Sequence, residues 1–195
     1  MTGSARVADA PFVVGIGGST HRGSSTEALM TAALAALERE GARTVLHTGD
    51  ALLLPPYERT PRHTEAGRAI VEDVRRADAL VIGSPGYHGS ISGLVKNVLD
   101  YLEELADDER PYVDGRPVAC IATAQGWQGA VNSLVALRQI VHALRGWPTP
   151  FGLALNVKGG LNVNDPQIAA SIDVMAGQIL EFTSARRAGE RERSG

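Results

Sequence analysis

A single cysteine in 195 residues excludes an internal disulfide framework, so a hydrophobic core must hold the chain together, and it fits a reducing cytosol. Aromatic residues are scarce, at 5%. No apolar run approaches the length that spans a bilayer, and no secretory signal precedes the first apolar segment. These absences point to a cytoplasmic protein with no membrane partner. Positive charge is not in excess either: 19 Lys plus Arg stand against 22 Asp plus Glu, a formal net charge of −3. Without a basic stripe, nucleic acid is not an expected partner. The histidines, at positions 21, 47, 63, 88 and 142, lack metal-ligand spacing and are joined by no thiol or carboxylate cluster, so no metal site is expected.

What the chain does have is an ordinary globular share of hydrophobic residues, 44%, in a length suited to one domain. Residues 1–10 read as a disordered tail, 11–185 as the domain, and 186–195 as a polar, solvated tail without apolar periodicity. Strand-like runs lie at residues 12–17, 43–48, 79–83, 118–123 and 149–155. Between them, apolar residues recur at helical spacing: Leu29, Ala33, Leu34 and Leu37; Ile70, Val74 and Ala77; Leu94, Val95, Val98, Leu99, Leu102 and Leu105; Ile168, Ile172, Met175, Ile179 and Phe182. A further helix, carrying Val131, Leu134, Val135, Leu137, Ile140, Val141 and Leu144, is apolar over more than half its girth, which points to cover by a loop or a second subunit. Cys120 falls inside a strand-like run and reads as a small core residue rather than a redox thiol.

Alternating β and α segments imply a parallel sheet with helices on both faces, an α/β three-layer sandwich. Two turns rich in small polar residues follow the first and third strands. The five-stranded order 2-1-3-4-5 makes those turns neighbours at the switch point, where ligands bind in such sheets, and is therefore the expected topology. A longer connection at residues 51–64 reads as a lid or rim.

The first turn reads Gly17-Gly18-Ser19-Thr20-His21-Arg22-Gly23-Ser24-Ser25-Thr26. Gly15 and Gly17 supply two glycines of a dinucleotide fingerprint, but the third position is Thr20, and no Gly-Lys-Ser/Thr follows to make a Walker loop. Hydroxyl residues beside a helix N-terminus suit a single phosphate monoester such as that of flavin mononucleotide (FMN). Helix capping accounts for one or two of them. The second turn, Ser84-Pro85-Gly86-Tyr87-His88-Gly89-Ser90, combines small residues, an aromatic ring and backbone N–H groups. It suits a flat heterocycle with polar edges.

With both turns in view, the chain resembles the NADPH-dependent FMN reductases of the flavodoxin-like superfamily, which include quinone, azo-dye and chromate reductases. The matching residues are Gly18-Ser19 with Gly23-Ser24-Ser25-Thr26, then Pro85, Tyr87, Ser90, Gly93, Lys96-Asn97 and Asp100, and more weakly Leu137-Arg138-Gln139-Ile140. The resemblance implies phosphate contacts from Ser19, His21, Arg22, Ser24, Ser25 and Thr26. It implies a ring site built by Pro85, Gly86, Tyr87, His88, Gly89 and Ser90 and closed by Gln125, Gly126 and Trp127. The family pattern has Arg at the position of His21, Glu at Gly86 and Asn at His88, so this chain departs from it at those places.

The resemblance further implies FMN as cofactor and NADPH or NADH as reductant, with hydride passed by a ping-pong order to a small acceptor such as free flavin or a quinone. It also implies a homodimer or tetramer. No acid–base triad is evident; His88 and Tyr87 are the side chains placed to assist, or simply to line the site. Trp127 is placed to stack on the flavin, a substrate or a partner subunit. His21, Arg22 and Arg59 are candidates for a 2′-phosphate contact, whereas Asp50 as a ribose-binding acid is disfavoured with the dinucleotide fingerprint. Lys96 and Asp100 read as a surface i, i+4 pair. The alternative is a flavodoxin-type electron carrier with no pyridine-nucleotide turnover; such carriers are strongly acidic, and −3 is a weak charge for that role.

Overall fold

The computed structural model describes residues 10–59 and 64–194. Residues 1–9 of the expected tail and residues 60–63 of the 51–64 connection lie outside them. The elements, in chain order, are β1 (Phe12–Gly17), α1 (Ser25–Arg39), β2 (Arg43–His47), a 3-10 turn (Gly49–Leu52) and α2 (Glu65–Arg76). There follow β3 (Ala79–Tyr87), β4 (Ser90–Ile91), α3 (Gly93–Asp100) running into a second 3-10 turn (Tyr101–Leu105), and β5 (Pro117–Ala124). The chain finishes with α4 (Trp127–Ala143), β6 (Trp147–Pro148), β7 (Leu153–Asn156) and α5 (Pro166–Ser194).

The sheet is parallel in the order β2-β1-β3-β5-β6, with β7 also pairing with β5. This is the expected 2-1-3-4-5 winding of a flavodoxin-like α/β fold. Successive side chains of a strand point to opposite faces, and the central strands are apolar on both. Val13, Ala79, Val81, Ala119 and Ile121 face α1 and α5 through Leu29, Met30, Leu34, Ile172 and Met175. Val14, Ile16, Leu80, Ile82, Val118 and Cys120 face α2, α3 and α4 through Ile70, Val74, Val98, Leu99, Leu137 and Val141. Each such Leu, Ile or Val contributes roughly 1.5–3 kcal/mol by leaving water, so these two cores fix the register that brings the turns together.

Three departures from the sequence reading have local causes. The expected strand at 149–155 is two short ones, because Pro148 and Pro150 have no N–H to give the ladder. Thr149 N–H donates to the Val118 carbonyl and Arg138 donates to the Thr149 carbonyl (2.6 Å), which holds the gap closed. Residues 186–194 of the expected polar tail continue α5 as helix. Arg186 pairs with Glu190 one turn on (2.8 Å) and also donates to the Gly115 carbonyl, while Arg187 pairs with Asp78 (2.8 Å), so charge contacts sustain a helix that has no apolar face there. Finally, the connection expected as a lid or rim is clamped at residues 54–57. The Asn97 amide donates to the carbonyls of Leu54 and Pro55 and accepts from Tyr57 N–H, and Tyr101 hydroxyl donates to the Pro55 carbonyl.

Candidate functional site at the carboxyl edge of the sheet

The turns after β1 and β3 meet because glycine lets their strands close up. Gly17 (φ +146°) pairs with Gly83, and a Cβ built on Gly17 would lie 1.9 Å from the Gly83 carbonyl oxygen. Gly18 N–H then donates to that same oxygen at 3.2 Å. Between the turns lies an open cleft of about 500 Å³. Of the residues singled out in the sequence, Ser19, His21, Ser24, Ser25, Thr26, Pro85, Gly86, Tyr87, His88 and Gln125 line it.

One end is a cluster of hydroxyls and amides. Ser24 is the N-cap of α1, its Oγ accepting from Glu27 N–H at 3.2 Å, and its carbonyl accepting from Ala28 N–H. An accepting hydroxyl keeps its own proton, so Ser24 caps the helix and still has a donor to offer. Ser19 Oγ accepts from His21 N–H (3.1 Å) and donates to the His21 carbonyl at a long 3.4 Å, a bond its hydroxyl would give up to reach a phosphate. The amides of Ser25 and Thr26 open the helix and have no acceptor within it. These donors sit at the positive end of the α1 dipole, the arrangement that holds a phosphate. Thr26 differs from the others. It is buried, and it shares a hydrogen bond of 2.6 Å with Thr123 Oγ1 that ties the loop to β5.

The other end is a slot walled by the hairpin that follows β3. β3 runs on through Pro85 and Gly86 to Tyr87 and folds back into β4, with Tyr87 paired to Ser90. His88 (φ +52°) and Gly89 (φ +89°) make the two-residue turn, both with positive φ, as the primed hairpin turns require. Gly86 sits against α4: a Cβ there would meet Ser133 Oγ at 2.5 Å and the Gly129 carbonyl at 3.1 Å, which is the physical reason this chain has no Glu at that place. Ser133 hydroxyl donates to the Ser90 carbonyl (3.0 Å) and fixes the hairpin on the helix. Across the slot stand Thr123, Ala124, Gln125 and Val157, the last held by its N–H on the Ala124 carbonyl. Thr123, Ala124 and Val157 were not singled out in the sequence. α4 begins just behind Gln125 with Gly126 as N-cap and no capping side chain, so its first amides remain open.

Five expected site residues lie outside the cleft lining. Arg22 is turned onto Asp50 (3.4 Å), the two side chains 88% and 72% exposed. Gly89 and Ser90 belong to the far side of the hairpin, Ser90 committed to Tyr87 and Ser133. Gly126 serves as the α4 N-cap, and Trp127 projects at 61% exposure, in line with Val131 and Val135 along the same helix. Lys96 and Asp100 form the expected exposed pair on α3. Cys120 is fully buried, and desolvation pushes its thiol up to about 12, which removes it from nucleophilic chemistry. Among the described residues, no three His, Cys, Asp or Glu side chains converge to hold a metal ion.

A family model described as NADPH-dependent FMN reductase matches residues 11–158. The FMN-dependent NADPH-azoreductases of Staphylococcus haemolyticus (strain JCSC1435) and Staphylococcus aureus (strain USA300) are 33% and 32% identical to the chain over 120 residues. That stretch is 58% of this chain and 60% of each relative, so the match spans under two thirds of their length. Among solved structures, the flavoenzyme NAD(P)H:(acceptor) oxidoreductase FerB of Paracoccus denitrificans superposes with a TM-score of 0.71 at 18% identity, over 89% of this chain and 99% of that one. A flavodoxin, WrbA-like protein from Agrobacterium tumefaciens gives 0.63 at 15% identity, over 90% and 99%. At these identities the likeness is one of fold, the flavodoxin-like sandwich. With the family match covering both turns that build the cleft, the chain belongs to the NADPH-dependent FMN reductase family.

Proposed function

We propose that the chain is an FMN-dependent NAD(P)H oxidoreductase that passes hydride to a small acceptor such as free flavin, a quinone or an azo compound. The observation that carries this reading is the single cleft with a hydroxyl and amide cradle at one end and a slot walled by Pro85–His88 at the other. Ser19, Ser24 and the amides of Ser25 and Thr26 would hold the FMN phosphate. Gly86, Tyr87 and His88 would line one side of the ring and Thr123, Ala124 and Gln125 the other. When bound, FMN supplies the hydride-accepting centre, chemistry that no side chain here possesses.

The protein's part is to bind, orient and stabilise charge. The N–H groups of the uncapped first turn of α4, just behind Gln125, would help to stabilise negative charge at the ring's polar edge. Tyr87, 54% exposed, is free to cover an aromatic face. Nicotinamide and acceptor would use the open cleft in turn, the ping-pong order. His21 and Arg22 border the phosphate end and are the described candidates for a 2′-phosphate contact that would favour NADPH; Arg59 is a third. The exposed stripe of Trp127, Val131 and Val135 supports a homodimer, with tetramers as pairs of dimers. No described helix is long and apolar enough to cross a membrane, and a cytoplasmic enzyme remains our reading.

Anaerobic addition of NADPH to the FMN-loaded protein tests the proposal. Prompt loss of the yellow colour, restored by a quinone, is expected. Persistent colour would identify an electron carrier instead.

A further inference from the structure

The phosphate end of the cleft carries an unexpected charge balance. Gly23 N–H donates to Glu27 Oε2 at 2.7 Å, while Glu27 N–H donates to Ser24 Oγ, so Glu27 closes a reciprocal cap on the loop. Its carboxylate thus occupies one backbone donor of the turn expected to take the phosphate. Its Cβ lies 3.8 Å from the position a Gly18 Cβ would take, against the loop's first residues. The nearest cation is spent elsewhere, since Arg22 reaches out to Asp50. Among the described residues Glu27 has no cationic partner. The charged side chains of this corner are therefore Arg22, Asp50 and Glu27, a net formal charge of −1, with His21 the remaining titratable group.

We infer that Glu27 is a specificity-setting residue that weakens the hold on the cofactor's phosphate, so that FMN exchanges with solution rather than staying as a permanent prosthetic group. This rests on the reading that the 19–26 turn takes the FMN phosphate. A phosphate dianion in the cradle would share a helical turn with the Glu27 carboxylate, which does not line the cleft and so acts through space, and it gains no guanidinium unless Arg22 leaves Asp50. The helix dipole and neutral donors still favour the anion, so binding occurs, but each added negative charge nearby opposes it. Neutral riboflavin has the same ring and no phosphate, so it does not feel Glu27.

The test is fluorescence titration of the full chain with FMN and with riboflavin. Glu27→Gln keeps an oxygen to accept Gly23 N–H and removes only the charge. It should tighten FMN by roughly three- to tenfold, the scale of a solvent-screened charge pair at this range, and leave riboflavin unchanged. The gain should shrink as salt rises, and Glu27→Asp, which keeps the charge, should show no gain. Desalting should strip FMN from the wild type faster than from Glu27→Gln. If neither wild type nor Glu27→Gln binds FMN better than riboflavin, the phosphate assignment itself is wrong. If wild type prefers FMN but Glu27→Gln does not tighten it, or tightens riboflavin equally, the role of Glu27 is refuted. Melting curves of the free variants establish that each is folded before titration.

Discussion

Ser24 is asked to do two jobs with one oxygen, and the two can be separated. Its Oγ accepts from Glu27 N–H at 3.2 Å to cap α1 and, in the proposed complex, donates its proton to the FMN phosphate. Ser24→Ala loses both. Loss of the cap costs about 1 kcal/mol of stability. In a domain of this size that lowers the melting temperature by roughly 2–4 °C per kcal/mol. Loss of a hydrogen bond to a charged phosphate costs about 1.5–3 kcal/mol of binding, which is on the order of 10- to 150-fold in Kd. Ser24→Gly should separate the effects, because glycine caps a helix nearly as well as serine but has no hydroxyl. It should melt close to wild type yet bind FMN as poorly as Ser24→Ala, while Ser24→Thr should restore both. The assay is flavin fluorescence titration beside differential scanning calorimetry, with riboflavin as the control that lacks phosphate. If FMN affinity in Ser24→Gly equals that of wild type, or if riboflavin binding falls equally, the hydroxyl does not touch the phosphate and the cradle has been misassigned.

Gly86→Ala should destabilise the fold by about 1–3 kcal/mol and weaken flavin binding, since its Cβ would press on Ser133 Oγ and the Gly129 carbonyl, both in the first turns of α4; thermal melts and flavin titration read the two effects. Cys120 should be silent to a thiol reagent at pH 8 in the folded protein and react fully after denaturation. Its folded pKa, about 12, lies above the ordinary thiol value of 9.0, so the unfolded chain ionises first and stability should fall between pH 9 and 12; Cys120→Ala should flatten that part of the alkaline denaturation curve. Val131→Glu with Val135→Glu, both at 48% exposure on α4, test the proposed homodimer: light-scattering mass should fall to that of a monomer, with far-UV helix content unchanged.

Much of this architecture is legible in the residues. Strands β1, β3 and β5 are near-continuous apolar runs because both faces are covered, and the helices announce their buried stripes. The sheet order follows from requiring two ligand turns to be neighbours. What escaped notice depends on long-range partners or fine backbone geometry. The Tyr87–Ser90 hairpin was hidden because His88 takes a positive φ that its residue type does not advertise; the pair His88-Gly89 between extended segments was the available signal. The hydrogen bond between Thr26 and Thr123, 97 residues away, leaves no trace in the local pattern. Arg116 shows no special pattern in sequence, yet it is fully buried and donates to the carbonyls of Arg75, Ala77 and Tyr112. Burial, with Arg110 and Arg186 near, holds its pKa down at about 10. The helical run to Ser194 was missed because apolar periodicity ends before it, and ion pairs leave a weaker trace.

The most direct test of the account is a crystal structure of the protein saturated with FMN. It should show the phosphate on Ser19, Ser24 and the amides of Ser25 and Thr26, with the ring between Pro85–His88 and Thr123–Gln125. FMN seated anywhere else, or a cleft left empty at saturating flavin, would contradict it.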